Sequence, residues 1–386
     1  MDKDYLSKVS AVALNGIFGY EPKFSHRIID ELGSPEAVFS LSREELGHVF
    51  GPCSKYIPLI NGASLEKAAA QLERLESEGC SVLGICDDGY PQLLKECEDA
   101  PMALYVRSGT DPGKIFNGHP SVSVVGTRDL SPYGREWCTR IIRELAKSPL
   151  KPVIVSGLAM GIDITAHMAA LACGLPTVAV LPVGIDDVYP RRHSVAAHKI
   201  SHSPGSALIT DYPPGTAPVA FNFIRRNRII AGLSRATILV ESKSKGGGTM
   251  TARLAFGYGR DVYALPGRID DIRSEGCNRL VREKVAETID SLGELVRSLG
   301  LECPVPMQGI LFEEELQRRY GGSADADDIR RIALAIRRNR GMNYDELCRE
   351  CGMGYDTVAR LAATLENDGF IETDPVQRCS INSGIY

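Results

Sequence analysis

The sequence contains no run of the roughly 18 apolar residues that a membrane-spanning helix requires, which excludes a helical membrane protein. Its first stretch, MDKDYLSKVSAVALNGIFGY, lacks a basic n-region and a small-residue cleavage site, so no signal peptide is expected and a cytoplasmic location is. Metal-ligand spacing is also missing. The chain holds 11 cysteines, but the one close pair, Cys348 and Cys351, has no second Cys pair or His pair beside it. A scattered, odd set of thiols without an export signal reads as reduced cysteine. His193, His198 and His202 cluster in YPRRHSVAAHKISH with no Cys, Asp or Glu nearby, so they read as a solvated or nucleic-acid-facing helix and no metal is expected. Nor is there a nucleophile with a base and an orienting group, or a carboxylate pair in the glycine-rich region; no enzymatic activity is expected.

Acidic residues are missing from one long segment, and that absence carries information. The net charge is −5, yet residues 191–260 hold 11 Lys/Arg against 2 Asp/Glu. Residues 1–100 hold 9 against 17, and residues 325–374 hold 7 against 11. An acidic total therefore hides a strongly basic segment between acidic flanks, a field suited to a polyanion. At 44% hydrophobic and 24% charged residues, the rest is ordinary globular composition.

Texture divides the chain. Residues 1–80 carry apolar residues at helical spacing and read as a small helical domain of helix-hairpin-helix or sterile-alpha-motif type. From 81 to 300, short apolar runs (CSVLGI, SVSVVG, KPVIVSG, PTVAVLP, SALITDY, ATILVES, DVYALPG) alternate with helix-length segments. That alternation predicts an α/β fold, a doubly wound and mostly parallel sheet with helices on both faces. Residues 301–324 read as a linker with one short helix. Residues 325–386 read as three helices and a small β-wing, a winged-helix pattern.

Three strand-end loops are candidates for anion binding, since ligands of parallel sheets bind beyond the carboxyl ends of strands. The first is Gly126-Thr127-Arg128, a strand-to-helix turn with a cation. The second follows VIVS: Ser156, Gly157 and Gly161 form a small-residue loop, and Asp163 is placed to cap the next helix. Its GLAMG is not a dinucleotide fingerprint and no ribose-binding acid follows, so no cofactor is expected. His167 reads as a packed helix residue. The third loop holds Gly246, Gly247 and Gly248, able to form a nest of main-chain amides, with Thr249 or Thr251 placed to cap the helix. It lacks the Gly-Lys-Ser/Thr ending of a P-loop. In FNFIRRNRIIAGL, Phe221 and Phe223 precede Arg225, Arg226, Asn227 and Arg228. Aromatic rings beside guanidinium groups hold single-stranded nucleic acid, with rings on bases and charge on phosphates. Helical spacing prevents all three arginines from sharing one face.

In this order, the motifs DGYPQLLKECEDAPMALYVRSG, VSVVGTRDLSPYG, VSGLAMGIDITAHMAAL, LPVGIDDVYPRRH, FNFIRRNRIIAGLSRATILVES and DVYALPGRIDDIRSEGCNRLV resemble the DNA-processing protein A (DprA, also called Smf) family over residues 88–282. The resemblance implies an extended Rossmann-like domain that binds single-stranded DNA without catalysis, protects incoming strands, loads the RecA recombinase in natural transformation and works as a homodimer. It places site residues at Arg128, at Ser156, Gly157, Gly161 and Asp163, at Arg226, Asn227 and Arg228, and at Gly246 to Gly248. Arg191 falls where the family often has lysine. Replacing Arg128 or Arg228 is accordingly expected to weaken single-strand binding. Two segments depart from the pattern: the third loop reads GGGTMTA rather than SGSLITA, and REKVAET follows GCNRLV where a Gly-Ala pair is usual. An alternative reading is a nucleoside-monophosphate phosphoribohydrolase, whose PGGxGTxxE loop KGGGTMTA resembles. The position of its acid is Ala252 here.

Overall fold

The computed structural model describes residues 3–19, 23–302, 307–339, 341–374 and 377–381. They form two compact units, residues 1–302 and 303–386. The first is built on a nine-stranded sheet: β1 (Ser81–Gly84), β2 (Ala103–Arg107), β3 (Ser121–Val125), β4 (Val153–Ser156), β5 (Thr177–Val180), β6 (Ala207–Thr210), β7 (Ala236–Leu239), β8 (Asp261–Ala264) and β9 (Glu287–Thr288). Their spatial order is β1-β2-β6-β5-β4-β3-β7-β8-β9. β1–β2 and β2–β6 are antiparallel, and every other pairing is parallel. The seven apolar runs all form strands; β2 and β9 are additions.

The central strands are buried along their whole length because helices cover both faces. Val122 and Val124 of β3 face the helices Pro132–Leu145 and Ile162–Ala172, in a core with Ile141, Ile162 and Ala166. Val125 and the β4 residues Val153 and Val155 share the opposite core with Ile229, Ile230, Ala252 and Ala255, from the helices Ala220–Gly232 and Gly247–Gly257. Two polar residues reinforce that face. Ser121 Oγ donates to the Leu233 carbonyl at 2.6 Å and Ser123 Oγ to the Ile230 carbonyl at 2.7 Å, occupying acceptors that a helix end leaves open.

The expected boundary at residue 80 is not a boundary of packing. The helix Lys3–Phe18 buries Val9, Val12 and Ala13 in one core with Val82 and Tyr105 of the sheet. Asn15 Nδ2 donates to the Asp211 carbonyl at 2.7 Å, and Gln71 Nε2 to the Tyr105 hydroxyl at 2.8 Å.

The second unit contains the helices Met307–Tyr320, Ala326–Arg338, Tyr344–Cys351 and Tyr355–Asn367, and an antiparallel ribbon of β10 (Ile371–Thr373) and β11 (Cys379–Ile381). The segment expected to be a linker with one short helix carries the helix Met307–Tyr320. Its Phe312, Leu316 and Tyr320 are buried with Ile332, Leu361 and Phe370. Residues 303–306 of that segment, and residues 375–376 within the expected wing, lie outside the described residues. Among the described residues no helix is long and apolar enough to cross a membrane.

Candidate functional site

The chain leaves β3 toward β4 on one side and returns on the other side at β7. This reversal opens a crevice beyond the strands' carboxyl ends. A cleft of about 730 Å³ occupies it, lined by all three glycine-rich loops and by the arginine-bearing helix.

The first loop is pinned from two directions. Thr127 N donates to the Glu241 carbonyl at 2.7 Å, and the Thr127 carbonyl accepts from Ile162 N at 3.1 Å. The fully buried Glu241 carboxylate accepts from Ser131 N at 3.1 Å and from the Ser131 hydroxyl, at the start of the helix Pro132–Leu145. Arg128 is exposed at the mouth of the cleft, its guanidinium carbon 5.0 Å from the centre of the Phe223 ring. Phe223 also meets Tyr189 edge to face at 5.2 Å.

The second loop is shaped by steric demands. Leu158, fully buried, has φ 55° and Gly161 has φ 84°. A Cβ on Gly161 would lie 2.1 Å from the Thr127 carbonyl oxygen, so only glycine permits the loops to meet. Ser156 Oγ is spent on the Val124 carbonyl at 2.7 Å. Asp163 is buried and accepts from Ala159 N at 3.4 Å. Burial pushes its carboxyl above the usual range, with the Arg226 charge opposing.

In the third loop, Gly246, Gly247 and Gly248 line the cleft at the N-terminus of the helix Gly247–Gly257, where main-chain amides lack helical acceptors. Lys243 and Lys245 flank them, both exposed and both without an ion pair among the described residues. Thr249 is buried, its hydroxyl held by Ser242 Oγ at 2.9 Å and by the Lys243 carbonyl at 3.0 Å, so it offers the cleft no side-chain contact.

The arginine helix spans Ala220–Gly232, and its arginines part company. Arg225 is half-buried, stacked over the exposed Phe221 ring at 4.1 Å. Arg226 reaches the cleft floor but spends its Nη1 on the carbonyls of Gly157, at 2.6 Å, and Val180. Gly157 has no alternative, since a Cβ there would lie 2.5 Å from that guanidinium. Burial lowers the Arg226 pKa to about 10, so the group stays charged at neutral pH. Asn227 lines the cleft, accepting from Arg226 Nε at 3.4 Å. Arg228 overturns its expectation. Its guanidinium is buried, paired with Asp211 and donating to the Asp99 carbonyl, and it lines no part of the cleft. The physical reason is helical: one residue beyond Asn227, the side chain turns away from the cleft to Asp211, just past the end of β6.

Arg191 is exposed on the turn Arg191–His193 and does not line the cleft. His193 beside it joins this turn to the second loop, Nδ1 lying 2.8 Å from the Leu158 carbonyl. His198 and His202 stack on an exposed helix face with ring centres 4.0 Å apart. His167 is buried against Thr177. Ala252, at the position of the alternative reading's acid, is fully buried.

The cleft thus has a charge-compensated floor of Arg226 and Asp163. Its rim carries three exposed cations, Arg128, Lys243 and Lys245, two aromatic rings and a helix N-terminus. That combination attracts an anion carrying a flat apolar group. Sequence reading missed Lys243, Lys245, Tyr189 and Glu241. The two lysines bracket the glycine run in ESKSKGGG and were open to detection; the buried carboxylate was not, because nothing local distinguishes it from a surface acid.

The profile of one protein family, DNA recombination-mediator protein A, matches residues 81–300. The chain is 42% identical over 199 residues to the DNA processing protein DprA of Streptococcus pneumoniae, covering 52% of this chain and 67% of that protein. It is 34% identical over 290 residues to the protein Smf of Synechocystis, covering 75% and 72%. The X-ray structure of the pneumococcal protein superposes with a TM-score of 0.60 at 30% identity, covering 76% of this chain and 95% of that one. A structure of DNA processing protein A from Helicobacter pylori, whose subject is its single-stranded DNA binding mode, superposes with a TM-score of 0.50 at 30% identity, covering 57% and 95%.

Proposed function

Because the chain belongs to the DNA recombination-mediator protein A family, we propose that its cleft binds single-stranded DNA, without catalysis, and delivers it to a RecA-type recombinase during DNA processing. The observation that carries this reading is the Arg128–Phe223 pair at the cleft mouth, a cation beside an aromatic face. Arg128, Lys243 and Lys245 neutralise phosphates, the amides of 246–248 receive one phosphate, and Phe223 stacks a base for about 1–3 kcal/mol. Asn227 is the polar group within reach of a base edge. Phe221, with Arg225 over it, extends the stacking surface outward. Arg226, Asp163, Gly157, Gly161, Ser156 and Thr249 form the frame that holds these groups. Arg191 adds charge beyond the cleft.

Anisotropy titrations with single- and double-stranded oligonucleotides across a salt series test this. Preference for the single strand, with affinity falling steeply as salt rises, supports the reading; equal affinity for both forms, or none, rejects it. A homodimer is the working form proposed, checked by light scattering, and recombinase delivery by the chain's effect on RecA filament assembly over a single-strand-binding protein. The last three helices and the ribbon of the second unit are read as a winged helix. Its third helix, Tyr355–Asn367, carries one arginine, already paired with Asp325, against two acids. That composition suits protein contacts better than groove reading.

A further inference from the structure

A second cavity, of about 550 Å³, lies on the far flank of the third loop. Lys245, Gly246 and Met250 line both cavities, so this loop is the ridge between them. Three elements converge on the second cavity: Lys245 from the loop, Arg253 from the helix Gly247–Gly257, and Arg279 and Glu283 from the chain beginning at the helix Glu275–Arg282. The Glu283 carboxylate bridges two guanidinium groups. One oxygen accepts from Arg279 Nε at 2.8 Å, and the other from Arg253 Nη2. Arg279 Nη1 also donates to Ser244 Oγ at 3.0 Å.

An i, i+4 pair of Arg279 and Glu283 alone would be an ordinary surface contact. Here a third partner comes from another helix, and Lys245, without an ion pair among the described residues, lines the same cavity. The cavity therefore holds three cations against one carboxylate. Two guanidinium groups converging on the two oxygens of one acid is also the geometry in which they grip a phosphate. The side chains of Arg253 and Arg279 remain 44% and 41% exposed, so both keep donors open to solvent. Glu283 belongs to REKVAET, the segment where the sequence departs from the pattern it otherwise resembles.

We propose that Arg253, Arg279 and Lys245 form a second phosphodiester subsite, in which Glu283 occupies the place of a phosphate until a strand crossing the glycine ridge displaces it. The proposal rests on the single-strand reading of the first cleft. A short strand fills the first cleft alone, and only a longer one reaches across the ridge. Glu283 competes with the backbone for the same two guanidinium groups, so it weakens binding of long strands and leaves short ones unaffected.

The test compares anisotropy of a roughly 6-nucleotide and a roughly 20-nucleotide oligothymidylate, on the full chain and on two variants. Arg253→Gln/Arg279→Gln is expected to weaken the long strand about tenfold and lower its salt slope by about 1.4, two phosphate contacts of single strand, with the short strand unchanged. Glu283→Gln is expected to tighten the long strand severalfold and leave the short one unchanged. All three side chains are partly exposed, so unchanged thermal melting is the accompanying control. Equal effects on both lengths, or no effect on the long strand, overturn the subsite. Failure of the unsubstituted chain to bind either length overturns the single-strand reading, and this proposal with it.

Discussion

At the residue scale, the arginines of one helix separate by what surrounds them. Arg128 on its loop is solvated and makes no ion pair among the described residues, so Arg128→Ala should leave urea stability unchanged. Single-strand affinity should fall and the salt slope flatten by about 0.7, one phosphate contact. Arg228→Ala should behave oppositely. It strands the buried Asp211 carboxylate, a loss on the order of 3–5 kcal/mol visible in the urea midpoint whether or not DNA is present. His167 supplies a pH signature. Thr177 Oγ1 donates to the Ile154 carbonyl at 2.7 Å, so it accepts from His167 Nδ1–H, also at 2.7 Å, leaving Nε2 bare and buried. Burial lowers this histidine to about 3, whereas an unfolded chain protonates near pH 6.5. The unfolded state binds the extra proton, so this contribution is full above pH 6.5 and is lost as pH falls toward 3. Between pH 7 and 5 the protein should lose about 2 kcal/mol through this group, and His167→Gln should flatten that segment of the urea-stability profile.

At the element scale, the loops work because they touch one another. Gly161 cannot gain a side chain without striking the Thr127 carbonyl, and its φ of 84° is strained for any other residue. Gly161→Ala should cost about 1–3 kcal/mol and should disturb the Arg128 loop along with it. Gly247 presents the contrast, because an added Cβ there meets open space at the first position of a helix. Gly247→Ala should hold or raise thermal stability, by up to about 1 kcal/mol of helix propensity. If the strand's phosphate approaches the amides of this loop, the same substitution should nevertheless weaken single-strand binding. Affinity unchanged by Gly247→Ala would remove the third loop from the phosphate-binding surface. Ser121 and Ser123 belong to this scale too: two hydroxyls fasten the arginine helix to β3 and set the height at which its side chains meet the cleft.

At the scale of the whole molecule, the position of a cut matters. Residues 303–386 have their own core, and it includes Phe312, Leu316 and Tyr320. A chain ending at 302 should fold cooperatively and retain single-strand affinity. A chain ending at 324 keeps a helix whose apolar face has lost its partners, and should bind a hydrophobic dye and self-associate. Size-exclusion chromatography with dye fluorescence separates the two. Identical behaviour would mean that the helix Met307–Tyr320 is not part of the second unit's stability. The N-terminal helices permit no such cut, since Lys3–Phe18 shares its core with the sheet.

Short-range signals were legible in the sequence. Seven apolar runs, several ending at Gly or Pro, became strands, the charge contrast located the basic segment, and three strand-end loops located the cleft, because periodicity and small residues report on immediate neighbours. A short helix was legible within the linker, but its place in the second unit's core was not, because the helices it packs against lie tens of residues away. The roles of the arginines were equally hidden. Arg226 and Arg228 differ by two positions, yet one is committed to the carbonyls of Gly157 and Val180 and the other to Asp211. The sequence alone determined that guanidinium groups and rings would gather at the end of a parallel sheet. Tertiary structure decided which of them meet solvent, because a buried charge must be paired and its partners come from other segments of the chain, near the ends of β4, β5 and β6.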